Sequence, residues 1–510
     1  MGLRDISIYH LLQHNARTAG AAPAAFFAGQ ALSHRQFLDR VDRLAAGLVA
    51  RGIAKGDRVC ILAQNSLEYL DLYGACAKTG AIACPINWRL SASEVGAVVA
   101  LADPQMLVVG AGHLPQLEGL DLSRLRVQAI IGPGSAPGFV PLTELYQTPA
   151  APRAEAQAGG DDPFVIIPTA AVSGLPRGAV ITHHNLIWAG YQAIAALGLT
   201  AHDRHLAALP LFHIAGLGLS LSILQAGGAN ILLEAFDPVR AAQLIDVHQA
   251  TLMADFPPVL AMLLEARGKV SAHWQSLRYV VGLDAPDTIK RLYAETGAKF
   301  WTGFGQSETT GLVTLVRADE KPGSAGRPVA LARVRCVNEA GEEAPVGEPG
   351  EIVVQGPLVF AGYWRDPDAT DFTFRQGWHH TGDIGKFDAE GYLYYLGRKP
   401  EKELIKTGGE NVYPAEVERV IQEMPEVAAA CVIGVPDPKW GEAVKAVVEL
   451  VPGKTLTAEQ VVAAVVSRIA AYKKPQRVDF VSKLPRQPNG EIDRAAVKAA
   501  HGWIAPDPPS

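Results

Sequence analysis

The sequence predicts an α/β protein with a large N-terminal domain of layered α/β subdomains plus a small β-subdomain, followed by a small α+β C-terminal domain. Helical and strand patterns alternate along the first part of the chain, which is typical of parallel strands covered by helices. From about Gly323 to Arg398 short alternating strands are separated by Gly and Pro turns. After Arg398 the pattern changes again, and 510 residues exceed what one core holds. We therefore predict domains at 1–398 and 399–510.

The first elements follow from the spacing of apolar residues. These recur at every third or fourth position from Ser33 to Arg51, and Ser33 is suited to cap that helix. An apolar strand is predicted at 58–64, a helix from Ser66 to Gly80, and a second apolar strand at 81–87. Helix followed by apolar strand, repeated, indicates parallel α/β layers.

The same order recurs farther along the chain. Between Asn185 and Asp255 the pattern predicts a helix at 185–198, strands at 205–211, 230–234 and 250–256, and two helices between those strands. In the β-subdomain it predicts strands at 351–356 and 392–397. In the C-terminal domain it predicts helices at 414–422 and 458–471 and strands at 427–436 and 443–451.

Composition and charge narrow the class of protein. The chain is 48% hydrophobic and 19% charged, as in ordinary globular enzymes, and its net charge of -6 gives no reason to expect nucleic acid as a partner. It has no apolar signal segment and no apolar run long enough to span a bilayer, so we expect a cytoplasmic protein without a membrane span. The cysteines lack CxxC or metal-ligand spacing and are expected to be reduced core thiols: Cys60, Cys76, Cys84, Cys336 and Cys431.

The tract from Gly377 to Glu418 brings three ligand-binding residue types into one short span. Asp383 is a carboxylate that can accept both hydroxyls of a ribose, and Arg398 can donate to ribose or phosphate from a fixed fork. The pair Gly408 and Gly409 lets the backbone come close to a ligand. Singly, each is more typical of a turn or a loop. Together they indicate a site that handles a nucleotide.

Residues 165–186 have the order strand, small-residue loop, cation, strand and helix start. Small residues let backbone amides converge on an anion, and Arg177 can supply charge to phosphates. The Walker A pattern is absent. A surface hairpin is the alternative interpretation, which the chemistry of these residues alone favours.

Residues 300–314 end an apolar strand at a loop with aromatic, hydroxyl and acidic side chains. Phe304 can cover a base, and Glu308 beside hydroxyls suits Mg²⁺. The alternative is a strand-to-helix turn capped by Ser and Thr. His213 lies in an apolar setting, where a lone His is more often part of the core than a ligand. For Lys473, the simple alternative is a solvated helix end.

Taken in order, these segments resemble the adenylate-forming superfamily of acyl-CoA synthetases, NRPS adenylation domains and luciferases. The resemblance extends from about Ser33 to Arg494 and rests on GFGQSETT, HTGDIG, YYLGR and TGGENVYPAEVE. It implies that the C-terminal domain is mobile and rotates about a hinge near Arg398. It also implies that the protein uses ATP, Mg²⁺ and CoA.

The resemblance implies roles for individual residues. Those for ATP and AMP binding are Thr169, Ser173, Gly174, Arg177, Asp284, Ala285, Pro286, Phe304, Gly305, Gln306, Ser307, Asp383 and Arg398. Those for the acyl pocket are His213, Ile214, Gly216 and Asp255. Those for CoA binding are Gly408, Gly409, Glu410 and Lys473. For catalysis the resemblance implies Glu308, which also holds the metal, and the position of Glu491; Lys402 and Lys406 are catalytic candidates by our own hypothesis, given below.

Two departures from the family pattern bear on activity. Residues 169–178 read TAAVSGLPRG where the family has Thr-Ser-Gly-Thr-Thr-Gly-x-Pro-Lys-Gly, so hydroxyl donors are lost and Arg177 replaces a lysine. In GEIDR, Glu491 occupies the place of the family's C-terminal catalytic lysine, and we expect its side chain to turn outward. A unit charge at ~4 Å in an effective dielectric near 20 is worth roughly 4 kcal/mol, so losing it would slow adenylation by roughly three orders of magnitude.

The segment between Arg398 and Gly408 supplies a candidate replacement for that lysine. It is about two residues longer than the family pattern, and Pro400 falls near the hinge, where it is expected to stiffen the rotation. The extra turn brings Lys402 and Lys406 close to the site. Our hypothesis is that one of them replaces the missing cation.

The sequence thus predicts an AMP-forming acid–CoA ligase, an acyl-CoA synthetase that activates a hydrophobic carboxylic acid. One alternative is a degenerate family member that binds nucleotide or acyl-CoA with little or no adenylation. Another is an enzyme with an acceptor other than CoA, although the GGEN loop and Lys473 favour CoA. The expected partners are a small carboxylic acid, ATP and CoA, and a homodimer is left open.

Overall fold

The computed structural model describes residues 5–148, 158–169, 176–399, 404–487 and 490–502. The chain folds, as the sequence predicts, into a large mixed α/β N-terminal domain and a small C-terminal domain. The boundary between residues 398 and 399 adjoins residues outside these ranges and stays a prediction. Within the described ranges, no helix is both long and apolar enough to cross a bilayer.

Helices and strands alternate between residues 5 and 148. The elements are α1 (Ile8–Thr18), β1 (Pro23–Phe27), β2 (Gln30–Ser33), α2 (His34–Ala50), β3 (Arg58–Leu62), α3 (Leu67–Thr79), β4 (Ile82–Pro85), α4 (Ala92–Ala102), β5 (Met106–Gly110), β6 (Val127–Ile131), β7 (Val140–Pro141) and α5 (Leu142–Leu145). Ser33 caps α2 as predicted, because its hydroxyl accepts from the Gln36 N–H at 3.3 Å. Ser66 caps α3 in the same way, and Gly80 ends that helix with a left-handed φ of 73°.

The next part of the chain confirms the predicted helix and strand order between Asn185 and Asp255. Its elements are β8 (Pro163–Thr169), β9 (Arg177–Thr182), α6 (His183–Leu197), β10 (Arg204–Ala207), α7 (Ile214–Gln225), β11 (Ala229–Leu232), α8 (Pro238–Val247), β12 (Leu252–Asp255), α9 (Val259–Val270), β13 (Tyr279–Gly282), α10 (Pro286–Thr296) and β14 (Lys299–Thr302). Strands β8 and β9 pair antiparallel within the eight-stranded sheet, where most of their residues are buried, so they are not the surface hairpin that the sequence offered as an alternative.

Short strands dominate up to residue 398. The elements are β15 (Gly305–Gln306), β16 (Gly311–Leu312), β17 (Thr314–Arg317), β18 (Arg327–Pro328), β19 (Arg333–Val337), β20 (Gly350–Gln355), β21 (Gly362–Tyr363), α11 (Pro367–Thr373), β22 (Phe374–Arg375), β23 (Trp378–Phe387) and β24 (Leu393–Arg398). The predicted β-subdomain is a five-stranded sheet in the order β19-β20-β23-β22, with β24 also paired to β23.

The C-terminal part contains both element types, as predicted. Its elements are β25 (Ile405–Thr407), β26 (Glu410–Val412), α12 (Pro414–Gln422), β27 (Val427–Asp437), β28 (Gly441–Leu450), α13 (Ala458–Val466), β29 (Arg477–Val481) and α14 (Arg494–His501). The predicted helix at 458–471 is wrong at its end. Helix α13 stops at Val466, and the following turn lets the Ala470 N–H donate to Glu94 Oε2 at 2.8 Å. The predicted end of the helix is therefore replaced by a turn that contacts a distant part of the chain.

Two large sheets form most of the N-terminal domain. One has the order β18-β17-β14-β13-β12-β10-β11-β1-β2, and the other has the order β21-β9-β8-β4-β3-β5-β6-β7. Pairs such as β3–β4 and β12–β13 are parallel, as the repeated helix and strand pattern predicts. Residues of α3, α6 and α7 share one hydrophobic core with strands of both sheets. Since parallel strands end at a common edge, the loops that follow β12, β13 and β14 open onto one site.

Candidate functional site

A cavity of about 2100 Å³ lies where the two large sheets, the β-subdomain and the C-terminal domain meet. Many of the predicted site residues line it: Thr169, Arg177, His213, Ile214, Asp284, Pro286, Phe304, Gly305, Gln306, Ser307, Glu308, Arg398, Lys406, Gly408, Gly409 and Glu410. The remaining predicted residues lie behind its wall, elsewhere, or among residues outside the described ranges.

Asp383 and Arg398 form the charged end of the cavity. They are paired residues on β23 and β24, and Arg398 Nε lies 2.9 Å from Asp383 Oδ1. Asp383 is 1% exposed and also accepts from Tyr395 Oη at 3.2 Å and from Gln306 Nε2 at 2.5 Å. The carboxylate thus lies directly behind the cavity wall, fully supplied with donors.

Gln306 positions that carboxylate. Its Nε2 donates to Asp383, and its Oε1 is 3.2 Å from His379 Nε2. The Gln306 side chain therefore contacts two positions of the one strand β23 from the segment after β14. Its place in the GFGQSETT motif gave no sign of this role, because its partners are more than 70 residues away in sequence.

Phe304 supplies an aromatic face beside the same end. Its ring stacks with that of Tyr395 at a centroid distance of 6.2 Å and an interplanar angle of 25°. Its N–H donates to Thr314 Oγ1 at 2.9 Å, which fixes the backbone at the end of β14. Burial, and then the charge of Asp383, raise the pKa of Tyr395, so its hydroxyl stays protonated and can donate.

Glu308 and Arg177 lie near each other on the cavity wall. Glu308 Oε1 accepts from Tyr363 Oη at 2.9 Å, and the Arg177 guanidinium lies 5.6 Å above the centre of the Tyr363 ring. Arg177 is also paired with Asp366, at 3.2 Å from Nε to Oδ2. The predicted residues Ser173 and Gly174 lie outside the described ranges.

The β25–β26 hairpin of the C-terminal domain closes one side of the cavity. Gly408 and Gly409 have left-handed φ values of 56° and 82°. A Cβ on Gly408 would lie 2.7 Å from the Trp440 ring, and one on Gly409 would lie 3.2 Å from Phe256 Cβ. The hairpin tip therefore requires glycine for both its conformation and its close approach to the N-terminal domain.

Glu410 holds this hairpin against the N-terminal domain. Its carboxylate oxygens lie 2.5 Å from an Arg89 guanidinium nitrogen, 3.1 Å from Asn87 Nδ2 and 3.4 Å from His213 Nε2. Burial alone would raise the pKa of Glu410, but His213 and Arg89 outweigh burial and lower that pKa. The sequence predicted Glu410 and His213 in separate subsites, and the structure brings them together.

Lys406 projects into the cavity near the charged end. Its ammonium lies 5.9 Å from the centre of the Tyr395 ring. Desolvation and the nearby Arg398 lower its pKa, although the side chain is accessible from the cavity and the effect is correspondingly screened. Lys402, the other candidate cation, is outside the described ranges.

The structure does not place Lys473 in the cavity wall, contrary to its predicted role in CoA binding. Its Nζ lies 2.6 Å from Glu94 Oε1 and 2.5 Å from Glu416 Oε2, and its side chain is 5% exposed. The carboxylates of Glu94, in the N-terminal domain, and Glu416, in the C-terminal domain, thus neutralise the Lys473 ammonium. Desolvation would lower the pKa of Lys473, but Glu416 and Glu94 raise it.

Another part of the cavity lies between α6 and α7. His213 and Ile214 stand at the start of α7 and line it, whereas Gly216 is buried behind the wall. Asp255 does not line it either, because its neighbours Ala254 and Phe256 do and its own side chain is fully buried. The predicted placement of Asp255 on the acyl wall is therefore not what the structure has.

Asp255 instead faces Asp284, at the end of the neighbouring strand. Asp255 Oδ1 accepts from the Leu260 N–H at 2.9 Å, and Asp284 Oδ1 accepts from the Ala285 N–H at 2.6 Å. The second oxygen of each carboxyl is buried without a hydrogen-bond partner. Burial and this mutual contact raise the pKa of Asp255, and burial raises that of Asp284. The two carboxyls are thus arranged to share a proton.

Glu491 is exposed and lies outside the cavity wall. Its backbone carbonyl accepts from the Gln487 N–H at 2.8 Å. Side chains that the sequence interpretation missed do line this side of the cavity: Tyr413, Trp440, Tyr472, Arg494 and Lys498. Their spacing carries no signal, because they converge only through the packing of the C-terminal domain on the hairpin.

Comparison with known proteins agrees with this geometry. The family described as AMP-binding enzyme matches residues 12–364, and the family described as AMP-binding enzyme C-terminal domain matches residues 416–491. A feruloyl-CoA synthase from Amycolatopsis sp. is 36% identical over 493 residues, covering 96% of this chain and 97% of that protein. An indoleacetate–CoA ligase from Aromatoleum aromaticum is 35% identical, covering 94% of this chain and 96% of that protein.

A solved structure is similar over the whole fold. It is a double mutant of the o-succinylbenzoate CoA synthetase from Bacillus subtilis, bound with a product analogue. It has a TM-score of 0.85 and 28% sequence identity, and the match covers 98% of this chain and 100% of that one.

Proposed function

The chain belongs to the AMP-binding enzyme family, and we propose that it is an AMP-forming acid–CoA ligase for a hydrophobic carboxylic acid. One observation carries the proposal. A single cavity presents Arg398 with the Asp383 carboxylate directly behind it, an apolar slot between two helices, and a Gly-Gly hairpin from the C-terminal domain. These are the three features needed to hold a nucleotide, an acyl chain and an incoming thiol at one reacting carbon.

At the nucleotide end, Asp383 and Arg398 are the proposed ribose ligands, and Phe304 stacks on the adenine. The loop from Asp284 to Pro286 borders the adenine from the other side. Asp383 lies behind Tyr395 and Arg398, so a ribose hydroxyl takes over the position now held by the Tyr395 hydroxyl. Because one hydrogen bond to Asp383 replaces another, this exchange costs little free energy.

At the phosphate end, the proposed ligands are Thr169, Ser173, Gly174, Arg177 and Ser307. Glu308 is a fitting Mg²⁺ ligand, because its carboxylate lines the cavity and Mg²⁺ is commonly held by one or two carboxylates together with substrate phosphates. Bound Mg²⁺ offsets phosphate charge. Tyr363 donates to Glu308 and so orients the carboxylate.

Two steps then convert acid to thioester. A carboxylate oxygen attacks the α-phosphorus of ATP, the P–O bond to pyrophosphate breaks, and an acyl-adenylate forms. The deprotonated thiol of CoA attacks the acyl carbon, and the C–O bond to AMP breaks. We propose that Lys406 supplies the positive charge that the family's lysine gives to the first step, because its ammonium reaches the cavity beside Arg398. The second step does not require that charge.

The thiol is proposed to enter along the hairpin at Gly408 and Gly409, with Glu410 fixing the hairpin in place. In this orientation of the two domains Glu491 is away from the cavity. Small-molecule acid, ATP and CoA are then the partners. A cytoplasmic location remains part of this proposal, and light scattering would test the homodimer left open.

A panel of aryl and aliphatic acids with ATP, Mg²⁺ and CoA, assayed for AMP release, tests this function. We expect AMP and acyl-CoA in equal amounts with at least one acid, and little AMP when CoA is omitted. A protein that binds AMP or acyl-CoA but releases no AMP with any acid would instead be the degenerate family member. AMP release without CoA consumption would indicate another acceptor.

A further inference from the structure

The acyl end of the cavity is built from one face of each of two helices. On α6 the lining includes a set of residues at helical spacing: Ala189, Gln192, Ala193 and Ala196. On α7 it includes a set with the same spacing: Ala215, Gly218, Leu219 and Ser222. Both sets follow the i, i+3, i+4, i+7 pattern of a single helix face. Small side chains on both faces leave room for a substrate, and Gln192 is the long polar side chain among them.

The structure fixes which way the Gln192 amide points. Its Oε1 accepts from the Leu331 N–H at 3.2 Å. A backbone N–H can only donate, so the amide oxygen must face Leu331 and the NH₂ group must occupy the other position. Among the described residues, Nε2 has no hydrogen-bond acceptor, and the side chain is open to the cavity. Gln192 therefore presents two N–H donors towards the acyl slot.

The surroundings of this donor are apolar. Its neighbours on α6 are alanines, and on the facing helix the Ser222 hydroxyl is already engaged with Gly218 O at 2.7 Å. A hydrocarbon chain packed over the Gln192 NH₂ would strip it of water without replacing the hydrogen bond, which is costly. A substrate oxygen at the same place would satisfy it.

Gln192 is at the end of the slot remote from the reacting carbon. The entrance is the start of α7, where His213 contacts Glu410 of the hairpin. At the other end of α7, Gln225 Nε2 donates to Ile187 O of α6 at 3.1 Å. Gln192 is little more than one turn from Ile187, so it lies beside the far half of α7. At 1.5 Å per residue, the lining from Ala215 to Ser222 spans about 10 Å.

We propose that Gln192 is a specificity-determining residue, which selects acids that carry an acceptor oxygen remote from the carboxylate. The substrate class is an apolar aryl or alkyl acid with a hydroxyl, ether or carbonyl oxygen about 8–10 Å from the carboxyl carbon, the length that the α7 face spans. This inference rests on the proposed acid–CoA ligase function and narrows its substrate.

Matched pairs of acids that exchange oxygen for CH₂ test the proposal. One pair is 3-(4-methoxyphenyl)propenoic acid with its 4-ethyl analogue, and the other is 8-methoxyoctanoic acid with decanoic acid. For the wild-type protein we expect kcat/KM, measured by AMP release, to be about tenfold or more higher for the oxygen member of at least one pair. In Gln192→Leu we expect that preference to vanish because kcat/KM falls for the oxygen acid. For the CH₂ acid, kcat/KM should stay within about threefold of the wild-type value or increase.

The CH₂ acid is thus the internal control for folding of the variant. Equal rates for both members in the wild-type protein, or an equal loss for both in Gln192→Leu, would overturn the proposal. If no acid is turned over, the ligase function fails separately. In that case the affinities of the non-hydrolysable acyl-sulfamoyl adenosines made from both acids of each pair are measured by calorimetry. The wild-type protein must bind the oxygen member more tightly, and Gln192→Leu must lose this preference.

Discussion

At the residue scale, Asp383 depends on neighbours that hold it in one place. Gln306, Tyr395 and Arg398 all donate to or pair with its carboxylate, and 1% of the residue is exposed. A group fixed in this way loses little freedom on binding, so its hydrogen bonds to a ribose contribute most of their strength. The same arrangement leaves the buried Arg398 without its opposite charge once the carboxylate is removed.

Asp383→Ala is expected to raise the KM for ATP about 10- to 100-fold, since a hydrogen bond to a charged group is worth about 1.5–3 kcal/mol. The measurement is ATP–pyrophosphate exchange across an ATP titration. Asp371→Ala, which removes an exposed carboxylate, is the matched control and should leave KM unchanged. An unaltered KM in Asp383→Ala would show that the ribose binds elsewhere.

Lys406 and Glu491 can be tested as one pair. Lys406→Ala is expected to slow ATP–pyrophosphate exchange about tenfold or more, because it removes a cation close to Arg398. Glu491→Lys in that background restores the family's own cation and should recover exchange. Neither change should slow acyl transfer from a supplied acyl-adenylate to CoA.

Exchange that is unaffected by Lys406→Ala would leave Lys402 as the remaining candidate, tested by Lys402→Ala. If neither lysine matters, the hypothesis of a replacement cation is wrong. Failure of Glu491→Lys to restore exchange would mean that the C-terminal domain does not bring this position to the phosphates.

At the scale of elements, the β25–β26 hairpin joins the domains through one buried carboxylate. Glu410 contacts Arg89, Asn87 and His213, which come from two separate loops of the N-terminal domain. Removing one partner of such a pair leaves the other charge buried and uncompensated. The hairpin should then lose its docked position, whereas the nucleotide end should not.

Arg89→Met is therefore expected to slow acyl transfer to CoA about tenfold or more while ATP–pyrophosphate exchange stays within about twofold. The rate of acyl transfer is measured in a single turnover from a preformed acyl-adenylate. The rate of ATP–pyrophosphate exchange is measured with labelled pyrophosphate. Arg124→Met is the control, because that arginine is 84% exposed. Equal losses in both half-reactions would assign Arg89 to general stability instead.

The ends of β12 and β13 are joined by the Asp255–Asp284 carboxyl pair. The pKa values of both carboxyls are raised in the folded protein. Above the ordinary pKa of 3.8, the unfolded chain has released the proton that the folded protein still binds at this pair. Because the folded state binds more protons, stability contributed by this pair is present at low pH and decreases as pH rises towards the folded pKa.

In Asp255→Asn the amide can accept from Leu260 and donate to Asp284, so the shared proton is no longer needed. We expect the melting temperature of the variant, relative to wild type, to be higher at pH 8 than at pH 5. Thermal unfolding followed by fluorescence at both values measures this. Asp371→Asn should show no such difference, and a variant gain that is the same at both pH values would contradict the shared proton.

At the scale of the whole molecule, a second charged contact between the domains is buried. Lys473 lies between Glu94 of the N-terminal domain and Glu416 of the C-terminal domain. Its desolvated ammonium offsets two carboxylates, and burial raises the pKa of Glu416. This cluster and the one at Glu410 are adjacent, so together they define one docked orientation of the C-terminal domain.

Lys473→Met is expected to destabilise the docked form by about 3–5 kcal/mol, the usual effect of removing one partner from a buried ion pair. We expect this loss of stability to appear as faster limited proteolysis between residues 398 and 408 and as a lower melting temperature. Lys454→Met changes an exposed lysine and serves as the control. A variant with unchanged proteolysis would show that the cluster does not hold the domains together.

Local signals predicted much of the fold. The caps at Ser33 and Ser66, the left-handed Gly80 and the apolar strands depend on neighbours within a few positions, so they could be predicted from short windows. The turn after α13 could not, because its Ala470 N–H donates to Glu94, 376 residues away. Nor does any local pattern indicate that β17 and β18 join the sheet of β1 and β2.

The sequence by itself determined the α/β class, the motifs that surround the cavity and the family. Those depend on residue types and on local spacing, which the chain carries whatever its tertiary contacts. Only the tertiary structure decided which side chains face the ligand. It placed Asp255 behind the wall, directed Lys473 to two carboxylates and pointed the Gln192 amide into the slot. The physical reason is that burial and hydrogen bonding act between groups far apart in sequence, and a buried charge or amide takes the orientation that satisfies it.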